Sequence, residues 1–245
     1  MRIPRIHSEQ RLDPGATVAL AAAPSQHLAR ALRMPVGARV VLFDGRGGEY
    51  AAVITAVDKR RVTVAVGDHR EIERESPLHI HLGIAVSRGE RMDWVVQKGT
   101  ELGVSEISPL LTERTEVKLG RERAQKKLDH WQRIAVSACE QCGRNRLPPI
   151  NPPQPLAQWL QTTEARCRYV LHHRAAPSAT ADSPPGSVAL LIGPEGGLTE
   201  EEIAAAEACG YEAIGLGPRV LRTETAPLAA LAILQARWGD MGLDR

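Results

Sequence analysis

The sequence predicts an α/β protein in two parts: a small β-barrel, then a mostly parallel sheet covered on both faces by helices. Two textures support that reading. Residues 17–66 break into short strands separated by turn signals, whereas from residue 78 onward strands alternate with helical stretches. Between them lies the charged run Glu71-Ile72-Glu73-Arg74-Glu75-Ser76-Pro77, which ends on proline. The boundary belongs there, giving domains 1–73 and 74–245.

In the first part Val18–Ala21, Arg39–Phe43, Glu49–Val57 and Val62–Val66 read as strands, with Asp44-Gly45 and Asp58-Lys59-Arg60-Arg61 as turns. A helix over Gln26–Leu32, capped by Ser25, precedes Pro35. The second part opens with strand Leu78–Val86, helix Met92–Leu102, strand Glu106–Leu110 and the long helix Arg121–Gln141. It continues with a short helix Leu156–Gln161 and strands Cys167–Leu171 and Val188–Ile192. Helix Glu200–Cys209, strand Ala213–Leu216 and a last helix reaching Trp238 complete it. Gly103, Gly143 and Gly210 each follow a helical stretch where a left-handed residue closes the turn. Thr199 and Glu202 have the spacing of a capping box, and Thr225 stands ahead of Pro227 near the start of the last helix. The segment Ala175–Gly186, rich in Ala, Ser and Pro, reads as an exposed loop, and no internal repeat is visible.

With 245 residues, 43% hydrophobic and 24% charged, the chain can bury one sizeable core or two modest ones, which excludes a disordered tail. No apolar run approaches the roughly 20 residues that span a bilayer. The N-terminus lacks the apolar stretch of a signal peptide, so the expected location is the cytoplasm. Four cysteines are too few for a disulfide framework and have no paired zinc spacing, so reduced thiols and no metal are expected. Cys139 and Cys142 form a C-x-x-C pair late in a helix and not at its N-terminus, which speaks against redox chemistry. His79, His81, His172 and His173 show no ligand spacing. There is no G-x-S-x-G elbow and no activated cysteine motif. Eight aromatic residues are too few for an RNA platform built on stacked Phe and Tyr. Residues 1–75 hold twelve Lys and Arg against nine Asp and Glu, so the basic part is N-terminal. Of 31 basic residues 26 are arginine, which suits bidentate phosphate recognition, although a coding bias gives the same count.

The densest chemical signal is Leu190-Leu191-Ile192-Gly193-Pro194-Glu195-Gly196-Gly197-Leu198-Thr199, a buried strand running into a glycine-rich turn and a helix. In a parallel sheet, ligands bind at the carboxyl ends of strands. The spacing matches neither G-x-G-x-x-G nor the P-loop, and Glu195, Glu200, Glu201 and Glu202 crowd the helix start where a phosphate would sit. A neutral or cationic adenosyl ligand suits the turn better than a polyphosphate; a tight turn with acidic capping and no ligand is the alternative. The loop Gly215–Ala226 leaves the next strand toward the last helix and should open on the same edge. Arg219, Arg222 and Glu224 then converge near that ligand, unless Arg222 and Glu224 merely pair at the surface. Arg144, Asn145 and Arg146, beyond the long helix, could grip phosphate or a partner subunit.

Five strings, taken in order, resemble the ribosomal RNA small subunit methyltransferase E family. They are Lys98-Gly99-Thr100-Glu101-Leu102-Gly103-Val104, Thr112-Glu113-Arg114, Cys139-Glu140-Gln141-Cys142-Gly143-Arg144-Asn145, Gly193-Pro194-Glu195-Gly196-Gly197 and Leu221-Arg222-Thr223-Glu224-Thr225-Ala226. The resemblance spans nearly the whole chain. It implies a SPOUT-type S-adenosylmethionine-dependent enzyme that methylates nitrogen 3 of a uridine in 16S ribosomal RNA. It further implies a PUA-like RNA-binding barrel, a sheet domain whose C-terminal segment threads a trefoil knot, and a homodimer. By motif, the cofactor pocket would comprise Leu191, Ile192, Gly193, Pro194, Glu195, Gly196, Gly197, Leu216, Gly217, Val220, Leu221 and Thr225, with Leu171 and His172 as a further wall.

Nitrogen 3 of neutral uracil carries a proton that must leave, or the ring anion must be stabilised, for methyl transfer. Arg222 is the residue expected to hold developing charge on a uracil oxygen, and Glu224 to orient Arg222 or accept the proton. Arg2, Arg5, Arg11, Arg88 and Arg91, with Arg144 and Arg146, are the expected RNA contacts. Two other readings stay open: a ribose 2′-hydroxyl methyltransferase of the same superfamily, and an RNA-binding or ribosome-assembly factor that does not use the cofactor. A nucleotide-triphosphate switch is disfavoured by the acidic helix start.

Overall fold

The computed structural model describes residues 3–58, 61–117, 120–172, 175 and 183–242. The chain falls into two units, one comprising residues up to Glu75 together with Val136–Leu147, the other Ser76–Ala135 and Pro148 onward. This differs from a single cut after residue 73 in giving the first unit a second, later segment. The reason lies in side chains on that segment. Arg144 donates to both carboxylate oxygens of Glu75 (3.1 and 2.6 Å), Arg146 donates to Glu73 (3.2 Å), and Asn145 donates to the Ile72 carbonyl (2.5 Å).

The first unit holds a five-stranded sheet in the order β1-β3-β4-β5-β2, where β1 is Arg5–His7, β2 Thr17–Ala19, β3 Arg39–Phe43, β4 Glu49–Val57 and β5 Val62–Arg70. Only β1 and β3 pair in parallel. Along β5 the valines at 62, 64 and 66 are buried and alternate with partly exposed neighbours, so with Val40 and Leu42 of β3 and Ile54 of β4 they form a core that also takes in Leu28 of the helical insert. The strand β1 has no counterpart in the sequence reading, since three residues are too short to show alternation. The helical insert is also placed differently: α1 runs Ala22–Gln26 and passes into a π-helical turn over His27–Ala31. Ser25 therefore lies inside the helix and does not cap it. Its buried hydroxyl donates to the Leu20 carbonyl (3.1 Å) and accepts from the Val62 amide (3.0 Å), tying the helix to β5.

In the second unit β6 (His79–Ala85), β7 (Glu106–Leu111), β8 (Gln154–Pro155), β9 (Cys167–Leu171), β10 (Ser187–Ile192) and β11 (Glu212–Ile214) form one sheet in the order β11-β9-β10-β6-β7-β8. Every pairing is parallel. The helices are α2 (Arg91–Glu101), α3 (Arg121–Cys142, whose last turns belong to the first unit), α4 (Leu156–Thr162), α5 (Glu200–Ala208) and α6 (Thr225–Trp238). Central β10 shows why the run Val188–Ile192 is apolar throughout. Leu190 and Ile192 face a core with Val95 and Val96 of α2, Trp131 of α3 and Leu231 of α6. Ala189 and Leu191 face the opposite core with Trp159 of α4 and Ala206 of α5. A strand covered on both faces has no solvent side to make polar. Gly103, Gly143 and Gly210 have φ of +79°, +94° and +81°, the left-handed geometry their positions required.

One partly buried polar group gives this unit a pH response. His81 Nε2 accepts from the Trp159 indole N–H (3.2 Å) and sits 2.8 Å from the Ser108 hydroxyl, so the ring proton belongs on Nδ1. Burial holds the His81 pKa below its ordinary 6.5; the Glu106 carboxylate opposes that and His79 adds to it. Protonation would turn Nε2 into a second donor against the indole. The native state thus binds this proton more weakly than the unfolded chain. His81 contributes stability that is complete above pH 6.5 and is lost as pH falls toward the lowered native value. Equilibrium unfolding between about pH 7.5 and 5.5 should show a decline that His81→Gln reduces.

Candidate functional site

Because all strands of the second sheet are parallel, their carboxyl ends open on one edge. There Ile192 leads into Gly193, Ile214 into Gly215, Leu171 into His172 and Leu111 into Thr112. The register brings these ends level: Ile192 lies opposite Ile84, and Ile214 opposite Leu171. A cavity of about 430 Å³ occupies this edge, within the range of small-ligand sites.

The sequence-predicted residues Leu171, His172, Gly193, Pro194, Glu195, Gly196, Gly197, Leu216, Gly217, Val220 and Leu221 all line the cavity. Leu191 and Ile192 do not; they are 0% and 3% exposed and belong to the two cores, where they set the floor on which the turn rests. Thr225 lines a neighbouring cavity instead. Beyond the residues expected to hold the cofactor, Leu198, Glu200, Thr223 and Ala226 of the same loops line the cavity at the strand ends, and sequence reasoning missed the walls supplied by Arg114, Ile203 and Ile214. Arg114 stood in one of the five strings, the only signal that could have singled it out.

The glycine turn is shaped by close approach. A Cβ on Gly193 would lie 2.9 Å from the Leu198 amide nitrogen and 3.2 Å from the Gly197 carbonyl carbon. Only hydrogen fits there. The Gly197 amide closes the turn on the Pro194 carbonyl (2.9 Å), and Arg114 Nη1 donates to the Gly196 carbonyl (2.8 Å) from the loop after β7. The capping box then starts α5: Thr199 Oγ1 accepts from the Glu202 amide (3.2 Å) and Glu202 Oε2 from the Thr199 amide (3.0 Å). The other Glu202 oxygen accepts from the Glu113 amide (2.8 Å). Apolar walls from Leu171, Ile214, Leu216 and Leu221, with backbone groups of the turns, suit an adenine and ribose. Glu195 and Glu200 in the lining suit a cationic ligand and repel a polyphosphate.

A second cavity, about 940 Å³, adjoins the first: Glu195 lines both. Here the structure corrects the sequence reading. Glu224 is paired with Arg91, whose Nε lies 3.5 Å from Oε2, and not with Arg222. Arg91 Nη1 also donates to Glu195 Oε1 (2.6 Å), which accepts from the Arg88 amide as well (3.2 Å). Partial burial pushes the Glu195 carboxyl up. Its own amide, the Arg88 amide and the Arg91 guanidinium outweigh that and hold it below the usual range. Arg91 is the first residue of α2, and the parallel strand edge carries it to the loop after β10. Its guanidinium thus faces two carboxylates while its side chain stays 38% exposed. Arg222 is exposed, and its side chain makes no hydrogen bond to the described residues.

Two of the arginines expected to contact RNA are largely withdrawn from solvent and paired within the first unit. Arg5, with a side chain 9% exposed, pairs with Glu49, donates to Asn145 Oδ1 (2.6 Å) and lies 5.0 Å from the centre of the Phe43 ring. Arg144, 5% exposed, is held by Glu75. Arg11, Arg88 and Arg146 are exposed, although Arg88 pairs with Glu116 and Arg146 with Glu73. Arg2 lies outside the described residues, as do His173 and most of Ala175–Gly186. The hydrogen bond with Cys142, and burial, push the Cys139 thiol far up, away from redox reactivity. Among the described residues no helix is long and apolar enough to cross a membrane, and no cluster of three His, Cys, Asp or Glu could hold a metal.

The family model of an RNA methyltransferase domain matches residues 74–235, and that of an RNA methyltransferase PUA domain matches residues 25–67. The ribosomal RNA small subunit methyltransferase E of Buchnera aphidicola is 33% identical over 242 residues, covering 98% of both chains. That of Bacillus subtilis is 32% identical over 237 residues, covering 93% of both. A methyltransferase of Legionella pneumophila, solved with bound S-adenosylmethionine, superposes with a TM-score of 0.94 at 43% identity, over 98% of this chain and 100% of the other. The ribosomal RNA small subunit methyltransferase E of Neisseria gonorrhoeae bound to S-adenosylmethionine gives 0.91 at 38% identity, with 98% and 100% covered.

Proposed function

Since the chain belongs to the ribosomal RNA small subunit methyltransferase E family, we propose that it methylates nitrogen 3 of a specific uridine in 16S ribosomal RNA. It is an S-adenosylmethionine-dependent methyltransferase of small-subunit ribosomal RNA. The observation that carries this reading is the 430 Å³ cavity walled by two glycine-bearing loops at neighbouring strand ends. The cofactor, when bound, supplies an electrophilic methyl group on a sulfonium sulfur.

In this reading the Gly193–Leu198 turn and Leu216, Gly217, Val220 and Leu221 hold the cofactor, with Leu171 and His172 at its side. Gly193→Ala forces its Cβ against backbone, an overpacking of about 1–3 kcal/mol. Calorimetry should find S-adenosylmethionine bound about 5- to 150-fold more weakly. Gly196→Ala, whose Cβ would meet only the Arg114 side chain at 3.4 Å, should bind nearly as wild type.

Glu224, beside the cofactor cavity, accepts the N3 proton, directly or through water. Arg222, two residues earlier on the same exposed loop, is free to turn toward a uracil oxygen and stabilise the charge that develops there. Arg11 and Arg146 supply phosphate contacts, with Arg88 once it leaves Glu116. We read the loops after β10 and β11 as parts of a C-terminal trefoil knot. The working form is a homodimer, supported by the exposed Ile233 of α6 and Val220 of the preceding loop, in the cytoplasm where ribosomes are assembled.

The test is incubation of unmethylated small-subunit RNA with the purified protein and S-adenosylmethionine, then nucleoside digestion and mass spectrometry. 3-Methyluridine at one position is the expected product. A 2′-O-methylated nucleoside would assign the acceptor to the ribose. No product despite cofactor binding would leave an RNA-binding factor.

A further inference from the structure

The 940 Å³ cavity is larger than the cofactor cavity and abuts it through Glu195. Its apolar walls are Trp94 of α2 and Leu228 of α6. Trp94 stands apart from the other tryptophans: Trp131, Trp159 and Trp238 are 0%, 1% and 7% exposed, and Trp94 is 54% exposed. An indole left half in water gains little from folding, so its position calls for another use. The polar lining is not that of a phosphate site, because Glu90, Glu116, Glu195 and Glu224 outnumber Arg88 and Arg91. It suits a neutral ring that donates hydrogen bonds. Glu224 lines the cavity with its side chain 29% exposed, and neither the Arg91 guanidinium nor any other described group makes a hydrogen bond to its Oε2. Its ion pair with Arg91, at 3.5 Å, lacks hydrogen-bond geometry.

We propose that this cavity receives the acceptor uracil, with the Trp94 indole as the platform on which the ring stacks and the Glu224 carboxylate facing its N3–H. The inference rests on the reading of the chain as a uridine methyltransferase and names the seat of its substrate. A base reached in this way is turned out of its helix and loses its stacked neighbours. An aromatic face replaces them without regard to base identity. Selection among pyrimidines then falls to Glu224. Uracil presents a donor at nitrogen 3, whereas cytosine presents a lone pair that a carboxylate repels. One exposed aromatic suffices for this, which is how a chain poor in Phe and Tyr can still seat a base.

The test uses the full-length protein and its Trp94→Phe, Trp94→Leu and Trp94→Ala variants. With S-adenosylhomocysteine present, a uridine-containing stem-loop of 16S RNA should quench the wild-type tryptophan fluorescence, since the other three indoles are buried. Trp94→Phe should lose that quench while still binding the RNA. In steady-state methylation Trp94→Phe should keep most of kcat/KM for RNA, and Trp94→Leu and Trp94→Ala should each lose about 10- to 100-fold. Their S-adenosylmethionine affinity by calorimetry should be unchanged. A quench that survives in Trp94→Phe overturns the proposal, as does Trp94→Leu matching Trp94→Phe in rate. So does a change of mass in light scattering in the variants, which would make Trp94 a subunit contact. If the wild type quenches but methylates no uridine, the enzymatic reading fails while the stacking seat stands.

Discussion

Glu224→Gln should lower the single-turnover rate of methylation by about 10²- to 10⁴-fold at saturating S-adenosylmethionine, the usual span for removing a general base. The substitution keeps the side chain's size and one acceptor oxygen but removes its capacity to take a proton. Cofactor affinity should not change, because Glu224 lines the larger cavity and not the one proposed for the cofactor. Arg91 should stay in place through its 2.6 Å bond to Glu195. The deficit should shrink as pH rises, because solvent then removes the N3 proton unaided. A near-wild-type rate in Glu224→Gln at neutral pH would remove Glu224 from the chemistry. Arg222→Ala should cost about 10²- to 10³-fold, the usual loss of one oxyanion donor, without that pH recovery.

The largest effect on stability is expected at Glu75. Burial works against the charge of Arg144, but hydrogen bonding and attraction to Glu75 prevail and its pKa is raised, so this guanidinium, 5% exposed, stays charged. Glu75→Ala takes away the carboxylate that accepts two hydrogen bonds from it and should destabilise the protein by about 1.5–3 kcal/mol, the range for hydrogen bonds to a charged group. The exposed pair Lys126–Glu122, with side chains 74% and 83% in solvent, provides the contrast. Lys126→Ala should fall within about 1 kcal/mol of wild type. Urea unfolding reads both. Replacing both partners, Glu75→Leu with Arg144→Met, should recover much of the loss, because the buried charge is removed together with its carboxylate. If Arg144 gripped RNA instead, its removal would leave stability intact and flatten the salt dependence of RNA binding by about one unit.

The contrast between these two residues shows what the sequence could disclose. Most elements of the second unit were legible, since apolar strands, helical periodicity and the glycines at 103, 143 and 210 are local signals. The glycine turn was legible for the same reason: the strand, Gly193 and the Thr199–Glu202 box are contiguous. Contacts across long sequence separation were not. Arg144 and Glu75 are 69 residues apart, and nothing near either marks the arginine as buried. Ser25 looked like a cap because its hydroxyl can serve one; Val62, 37 residues on, claimed it instead. Glu224 was expected to orient Arg222 or accept the proton; the parallel edge brings Arg91, from the helix after central β6, to its carboxylate.

The later segment of the first unit also bears on how the protein is made. Translation delivers the five strands of the barrel early, but Val136–Leu147, which carries the partners of Glu73, Glu75 and Ile72, emerges only after α2 and β7 have been synthesised. At typical elongation rates, about 5–20 residues per second, the nascent first unit waits several seconds without the arginines that pair with Glu73 and Glu75. A fragment ending at Glu75 should accordingly show weak amide protection in hydrogen exchange, and adding a peptide of residues 136–147 should raise it.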